Sequence, residues 1–432
     1  MGTEFALVTF SVMKTQPPNL ERGIVLIIAL IVLALLVVIS MQITYTTTID
    51  LKIVRNQGRE LKSYYAARGV ATLAIARLRE DLIEDGGLFA PDSYLDGWAS
   101  GEESNDEASG PEQEHDEGGV FRKTIGEVSF EYRIVDEARK ICLNNLALEE
   151  LQLPEAGQAQ SPREAEPPPK EGEPAKEKLD PKALAEERKE MTRGFIREIL
   201  LQLDVEPQEA EDMVRAMEDG APYHALAELA SIDGITSRLL DGHEDEFGRH
   251  PGLADFLTLH SMGEININTA SREVLLACLS ARYPSQAAEY ADRILDYRAA
   301  PVAEPAEKSP DEGDEKSQEF EAPPGGIFTS VDQLAREIPE LADIFGSPQA
   351  EPDPDVEGQE PDLLSEGERL RRQLTVWSRF FSVRVIPGKP FLRKEYSFIL
   401  KRGLTPDIPI ALLLWEEREL PPGGARYSVT VD

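Results

Sequence analysis

Cysteine is almost missing from this chain of 432 residues. The two present, Cys142 and Cys278, exclude a disulfide-dense scaffold and a four-thiolate zinc site. Histidine is scarce too, and five leave little material for a multi-histidine metal site. Positive charge is in deficit: 45 Lys and Arg stand against 80 Asp and Glu, a formal net charge of −35. That balance argues against unassisted binding of nucleic acid or anionic lipid. Apolar residues at 41% and aromatics at 7% are slightly low for one compact globule. Catalytic signatures are missing as well: no Gly-x-Ser-x-Gly, HExxH, phosphate-binding glycine loop or Cys-x-x-Cys occurs. His224, His243, His250 and His260 share one region at spacings that fit no zinc motif, so surface or capping roles are expected. No catalytic constellation is visible, and the expectation is a protein that is not an enzyme.

What the chain does have is length for two compact units, and 31 each of Pro and Gly, which imply long linkers. The acidity is concentrated. Residues 101–118 carry −8, 155–190 carry −3, 303–321 carry −6 and 348–368 carry −8, together −25 of the −35. These segments hold too few apolar residues to offset the entropy of ordering and read as loops or linkers. The end of the second, Lys182 to Glu190, is also compatible with the start of a helix.

Residues Ile24 to Ile39, IVLIIALIVLALLVVI, are an unbroken apolar run, and with Ser40, Met41, Gln42 and Ile43 the segment reaches 20 residues. At about 1.5 Å rise per residue this crosses a hydrocarbon core of roughly 30 Å. The run is too long for a signal-peptide core, and no small-x-small cleavage site follows it. No proline occurs from there to Pro91. Apolar residues recur at Ile49, Ile53, Leu61, Tyr64, Val70, Leu73, Ile75, Leu78 and Leu82, close to helical spacing. One long helix is expected, its first half in lipid and its second half packed on a soluble domain. Gly58 and Gly69 weaken it without ending it.

Downstream, residues 119–135 read as two strands around Gly126, with Val128, Phe130, Tyr132 and Ile134 alternating with polar positions. VWSRFFSVRVI, LRKEYSFILKR, PIALLLWEER and ARYSVTVD read as further strands. Between them, from about 183 to 345, the pattern is helical, so a helical block interrupts a strand-rich unit. Its sharpest motif runs from Gly263 through Asn266, Asn268, Thr269 and Ser271 into REVLLACL. Asn268 or Thr269 is expected to cap that helix. Ile327 to Leu334, IFTSVDQL, is a second cap-and-helix signal. Asp241-Gly-His-Glu244-Asp245-Glu places several oxygen ligands together, but without the spacing of a calcium loop; a solvated loop fits equally.

Two resemblances follow from these motifs. The N-x-N-T-A stretch, the helix after it, a second helix ending near Arg298 and F-x-S-x-x-x-L resemble helix-hairpin-helix proteins. DNA-binding members hold phosphate on a glycine-rich hairpin; here LSARYPSQAAEY stands in that place, without the glycines and among acids. The second resemblance is broader. Arg22-Gly23 directly before the apolar run resembles the leader junction of type IV pilin-like proteins, with cleavage after Gly23 and Ile24 as first mature residue. The usual Glu at mature position five is replaced by Ile28. Asp136, Lys140, Leu143, Asn144 and Leu146 match a strand exit D-x-x-x-K-x-N-L-N-x-L, with Cys142 in place of its first Asn and Asn145 beside Asn144. With LAELASIDGITSRLL, the ININTA helix and the closing strands, this ordered set resembles the general secretion pathway protein K family, minor pseudopilins of type II secretion systems.

That resemblance implies an α+β fold. A long N-terminal transmembrane pilin helix would pack on an antiparallel sheet, with a large inserted all-α domain of helix-hairpin-helix or SAM-like type. It implies a leader over 1–23, the hydrophobic helix over 24–85 and the first part of the pilin-like domain over 86–145. The inserted domain would cover 146–345, an acidic linker 346–370 and closing strands 371–432. A start at Met13 rather than Met1 would leave a short polar leader that suits the family better. The implied role is a cap at the tip of a periplasmic pseudopilus. The implied partners are other minor pseudopilins, a prepilin peptidase and the bacterial inner membrane, crossed once with the C-terminal domain in the periplasm; no nucleic acid is expected. A bound Ca²⁺ is the implied ion, for which Asp241, Glu244 and Asp245 are candidates. In an oxidising periplasm Cys142 and Cys278 could pair or stay free. The competing reading is a membrane-anchored helix-hairpin-helix protein of DNA-binding or competence type.

Overall fold

The computed structural model describes residues 20–84, 87, 89–100, 119–149, 181–245, 248–280, 283–300, 326–341, 366–388, 394–403, 405 and 407–419. The proposed start at Met13, the closing segment ARYSVTVD and most of the four acidic stretches lie outside them. Two compact units are distinguished, Met1–Tyr64 and Tyr65–Asp432.

The described part of the first unit belongs to one helix, α1, which runs from Leu20 to Glu84 without a break at Gly58. It is the one helix among the described residues long and apolar enough to cross a membrane. Every residue from Ile24 to Asp50 is exposed. The hydroxyls that follow the apolar run turn inward. Thr44, Thr46, Thr47 and Thr48 donate to the carbonyls four residues back, at 2.8–3.0 Å. Each hydroxyl is thereby satisfied inside the helix, the condition for a polar group near hydrocarbon.

In the second unit α1 buries Ala66, Ala67, Val70, Ala71, Ala74, Leu78 and Leu82, a stripe at spacings of three and four. The expected face rested on larger residues, and Leu73 and Ile75 prove only half-buried. Alanine dominates because a short side chain lets the helix axis approach the sheet. At that contact Arg77 Nε donates to the Tyr132 hydroxyl at 3.2 Å and its guanidinium lies 4.0 Å above the Phe121 ring.

The sheet has five strands: β1 (Phe121–Ile125), β2 (Val128–Asp136), β3 (Phe380–Pro387), β4 (Lys394–Lys401) and β5 (Ala411–Glu419). They neighbour one another in that order, every pair antiparallel. In β2, Val128, Phe130, Tyr132, Ile134 and Asp136 all point inward, the period-2 pattern ending on a charged residue. β2 meets β3 with Phe130 opposite Pro387 and Asp136 opposite Phe381. Everything from 137 to 379 is therefore inserted between two adjacent strands of one meander, as the alternation of patterns predicts.

The insert carries helices α2 (Pro181–Gln202), α3 (Pro207–Gly220), α4 (Arg272–Ser280), α5 (Ala287–Ala299) and α6 (Val331–Glu337). Its core joins Phe195, Ile199 and Leu200 of α2 to Met213 and Met217 of α3, Leu275 of α4 and Ile294 of α5. Each fully buried side chain of this size contributes about 1.5–3 kcal/mol. The same core takes in Ile141 and Leu143 before the insert's expected start, and Leu370, Leu374 and Val376 after its expected end. Short parallel pairings explain this. Ile141–Cys142 pairs with Leu257–Thr258, and Leu374–Thr375 pairs with Ile265–Asn266, so both necks of the insert are held by backbone hydrogen bonds. LAELASIDGITSRLL forms a 3₁₀ turn (Leu226–Ser231) and a short helix (Ser237–Asp241), whose N-terminus is capped by Thr236 Oγ1 accepting from Leu239 N at 3.2 Å.

Candidate functional site

The processing residues fall in the first turns of α1. Gly23 and Ile24 are helical, and Ile24 and Ile28 are 54% and 55% exposed. Some twenty consecutive exposed residues, nearly all apolar, form a surface that water does not tolerate and lipid or another apolar helix does.

The Asp and Asn motifs meet in the second unit at the neck of the insert. Asp136, fully buried at the end of β2, accepts four hydrogen bonds. Ala138 N donates to Oδ1 at 2.7 Å; Asn266 Nδ2, Thr269 Oγ1 and Ser378 Oγ donate to Oδ2 at 3.1, 2.5 and 2.6 Å. Three of the four donors converge on Oδ2 and one on Oδ1. Burial pushes the Asp136 carboxyl up, against the pull of the Ser378 and Thr269 hydroxyls. Asn266 Nδ2 also donates to the Asp92 carbonyl at 3.1 Å and the Ser378 hydroxyl at 2.9 Å.

Asn144 and Asn145 hold the neck's other side. Asn144 imitates a peptide group: its Nδ2 donates to Tyr223 O at 3.1 Å and its Oδ1 accepts from Tyr223 N at 2.8 Å. Asn145 Nδ2 donates to Thr192 Oγ1 and Gly263 O, both at 3.3 Å. Gly263 has φ +92°, and a Cβ there would stand 2.7 Å from Asn145 Oδ1 and 2.8 Å from Arg188 Nη1. Glycine is thus required twice over at this position. Arg188, in the Lys182–Glu190 stretch compatible with a helix start, is buried on α2 and donates from Nη1 to Met262 O at 2.8 Å.

The caps depart from expectation. Neither Asn268 nor Thr269 caps α4; Ser271 Oγ accepts from Val274 N at 3.4 Å instead. Thr269 is committed to Asp136. Asn268 makes a second peptide-like pair, Nδ2 to Phe328 O at 3.0 Å and Phe328 N to Oδ1 at 2.9 Å. At α6 the cap is reversed: Gln333 Oε1 reaches back to accept from Thr329 N at 2.8 Å. The two motifs that look like separate helix starts are therefore one hydrogen-bonded joint.

Sequence reasoning missed the charged centre of the junction. Arg402, just beyond β4, is 2% exposed. It donates from Nη1 to Asp81 Oδ2 at 2.7 Å, and from Nη2 to Asp92 Oδ1 at 2.6 Å and the Ser378 carbonyl at 2.8 Å. Burial pushes Asp92 well up, with the charge and hydrogen bond of Arg402 opposing. One signal was present: Asp81 is a carboxylate on an otherwise apolar helical stripe.

At the end of the α4–α5 pair away from the connecting turn, two arginines are engaged within the chain. Arg272 Nε donates to Asp292 Oδ1 at 2.6 Å, and Arg298 Nη1 to Ala270 O at 2.6 Å. Cys142 and Cys278 are both free and buried, not paired. Of the oxygen ligands considered for Ca²⁺, Asp245 converges with His243 and His250, and neither Asp241 nor Glu244 joins that group. Two histidines that sequence spacing left apart are thus neighbours across a short hairpin.

No protein-family model matches the sequence, and no curated relative matches it. Among solved structures the chain is similar to a chain of the GspK–GspI–GspJ complex of the type 2 secretion system from enterotoxigenic Escherichia coli. The likeness has 15% identity and a TM-score of 0.46, over 85% of this chain and 99% of that one.

Proposed function

We propose that this chain is a minor pseudopilin of a type II protein secretion system, anchored in the inner membrane with its second unit in the periplasm. The observation that carries the reading is α1, a helix unbroken to Glu84 whose exposed apolar run begins directly after Arg22-Gly23. Such a helix suits an anchor that later packs against apolar helices of other subunits. Cleavage after Gly23 would leave Ile24 as a methylated first residue.

The tip position follows from Ile28. A carboxylate buried in an apolar bundle is costly unless an opposite charge meets it. A subunit with nothing stacked above it has no terminal amine to meet, and an isoleucine serves there. The large insert between β2 and β3 would also hinder stacking above it. Partners would be other minor pseudopilins, held through helix packing and sheet edges, and the work done would be assembly rather than bond chemistry.

N-terminal sequencing of the chain from cells with an active prepilin peptidase tests the proposal. A methylated Ile24 start supports it; an intact leader refutes it. For the tip role, the readout is co-purification with the other minor pseudopilins after membrane solubilisation. A retarded DNA band at physiological salt would instead favour the helix-hairpin-helix alternative.

A further inference from the structure

The hairpin His243–Asp245 and Gly248–His250 pairs antiparallel, with His243 opposite His250. The pairing stacks the two imidazoles, centroids 4.4 Å apart and planes 10° from parallel. Asp245 Oδ2 stands 2.9 Å from His250 Nε2 and 4.0 Å from His243 Nε2. One donor atom from each of the three side chains lies within 4.8 Å of the other two. A tetrahedral ion bound at about 2.0–2.1 Å sets its ligand atoms about 3.3 Å apart. The two distances to Asp245 bracket that value, and the stacked rings would tilt out of parallel to aim both nitrogens at one ion.

The hairpin is rooted firmly enough to hold such geometry. Gly242 has φ +74°, and a Cβ there would fall 2.3 Å from His250 O. The two backbones at the hairpin base are in direct contact. Arg249 Nη2 donates to Asp255 Oδ1 at 2.6 Å, tying the second strand to the helix Leu253–Phe256. The cluster also already faces a cation: the exposed Arg238 places Nη2 2.6 Å from His243 Nε2.

We propose that His243, Asp245 and His250 bind a first-row divalent transition-metal ion, with Zn²⁺ the best fit, water completing the coordination and Arg238 swinging aside. Two imidazoles and one carboxylate are the ligand set of a borderline-soft ion with an open position. Ca²⁺ takes six to eight oxygens, which one carboxylate does not supply. The bound ion would staple the hairpin. This inference stands on the hairpin alone and is independent of the secretion reading.

The test is titration of ZnCl₂ into the detergent-solubilised full chain against a chromophoric chelator, with CaCl₂ in parallel. The expected result is a saturable Zn²⁺ site whose affinity falls at least about tenfold in His243→Ala and in His250→Ala. Arg238→Ala, which removes a competing cation, binds Zn²⁺ at least as tightly as the parent. Zinc-edge absorption of the parent complex shows two imidazole ligands, which decides the matter should a histidine variant fail to fold. The proposal is overturned by an affinity unchanged in His250→Ala (an adventitious ion only), by an edge spectrum without imidazole, or by equimolar Ca²⁺ displacing the zinc.

Discussion

Replacing Arg402 with Met removes the buried cation that pairs with Asp81 and Asp92, beside Asp136. The guanidinium is 2% exposed and donates to two carboxylates and the Ser378 carbonyl. Methionine fills much of its volume but takes the Arg402 charge away from the buried Asp81 and Asp92, 6% and 1% exposed. Breaking a buried pair from one side costs roughly 3–5 kcal/mol, far more than the intact pair is worth against an apolar replacement. At a slope of about 2–3 kcal/mol/M, the urea midpoint of the second unit, followed by near-UV circular dichroism, drops by about 1–2.5 M. Arg402→Lys keeps the charge but cannot span all three acceptors and costs roughly 1.5–3 kcal/mol, one charged hydrogen bond. The triple variant Arg402→Met, Asp81→Asn, Asp92→Asn regains most of the loss, because neither carboxylate bonded to Arg402 is left charged.

The pH dependence supplies a further check on Arg402→Met. Burial already raises the folded-state pKa of Asp92 above its unfolded value of 3.8, and losing Arg402 raises it further. A carboxyl raised in the folded state contributes stability below its unfolded pKa and loses it as pH rises through the folded value. The deficit of Arg402→Met therefore shrinks as pH falls from neutral toward 4. A deficit under 1 kcal/mol at pH 7, or one that grows on acidification, refutes the reasoning.

Three other outcomes follow from the same geometry. Asn268→Ala strands Phe328 N and O, both in the core, and costs about 2–4 kcal/mol by urea unfolding; Asn268→Asp is no milder, since a carboxylate would face the Phe328 carbonyl. Burial raises both cysteine thiols, so maleimide at about pH 8 labels neither in the folded chain and both in urea; fast native labelling would contradict their placement. The Arg272 hydrogen bond holds Asp292 below its ordinary 3.8. That exposed pair adds about 0.5 kcal/mol, present above pH 3.8 and lost as pH falls through the lower folded value. Arg272→Met and the parent should then converge in acid, and a gap that persists at pH 2 contradicts the assignment.

Some of this was legible in the residues and some was not. Val128, Phe130, Tyr132 and Ile134 declare a half-buried strand because a strand's side-chain period is two and burial is all-or-none on each face. The helices of the insert declare themselves by spacing in the same way. The α1 contact face was harder, because Ala66, Ala67, Ala71 and Ala74 are too small to stand out in a hydropathy pattern, yet smallness is what permits close packing. The caps misled for a related reason. Asn268 and Thr269 have the side chains a helix start calls for, but Phe328 and Asp136 offered better-buried partners, and Ser271 was left to serve the helix. Nothing local marks Arg402 and Asp81 as partners, or His243 as stacked on His250.

By itself the sequence determined the apolar run from Ile24, the unbroken helix, the strand and helix periodicities, and the concentration of acid outside the patterned segments. Each is local, set by composition or by spacing within one element. Only the tertiary structure decided which polar groups meet. Asp136, Asn266, Ser378 and Arg402 lie far apart in the chain and converge because β2 and β3 are adjacent in the sheet while a whole helical block is threaded between them. Once such groups are buried, each must find a partner there or cost the fold several kcal/mol, and that demand, rather than any local preference, fixes the joint.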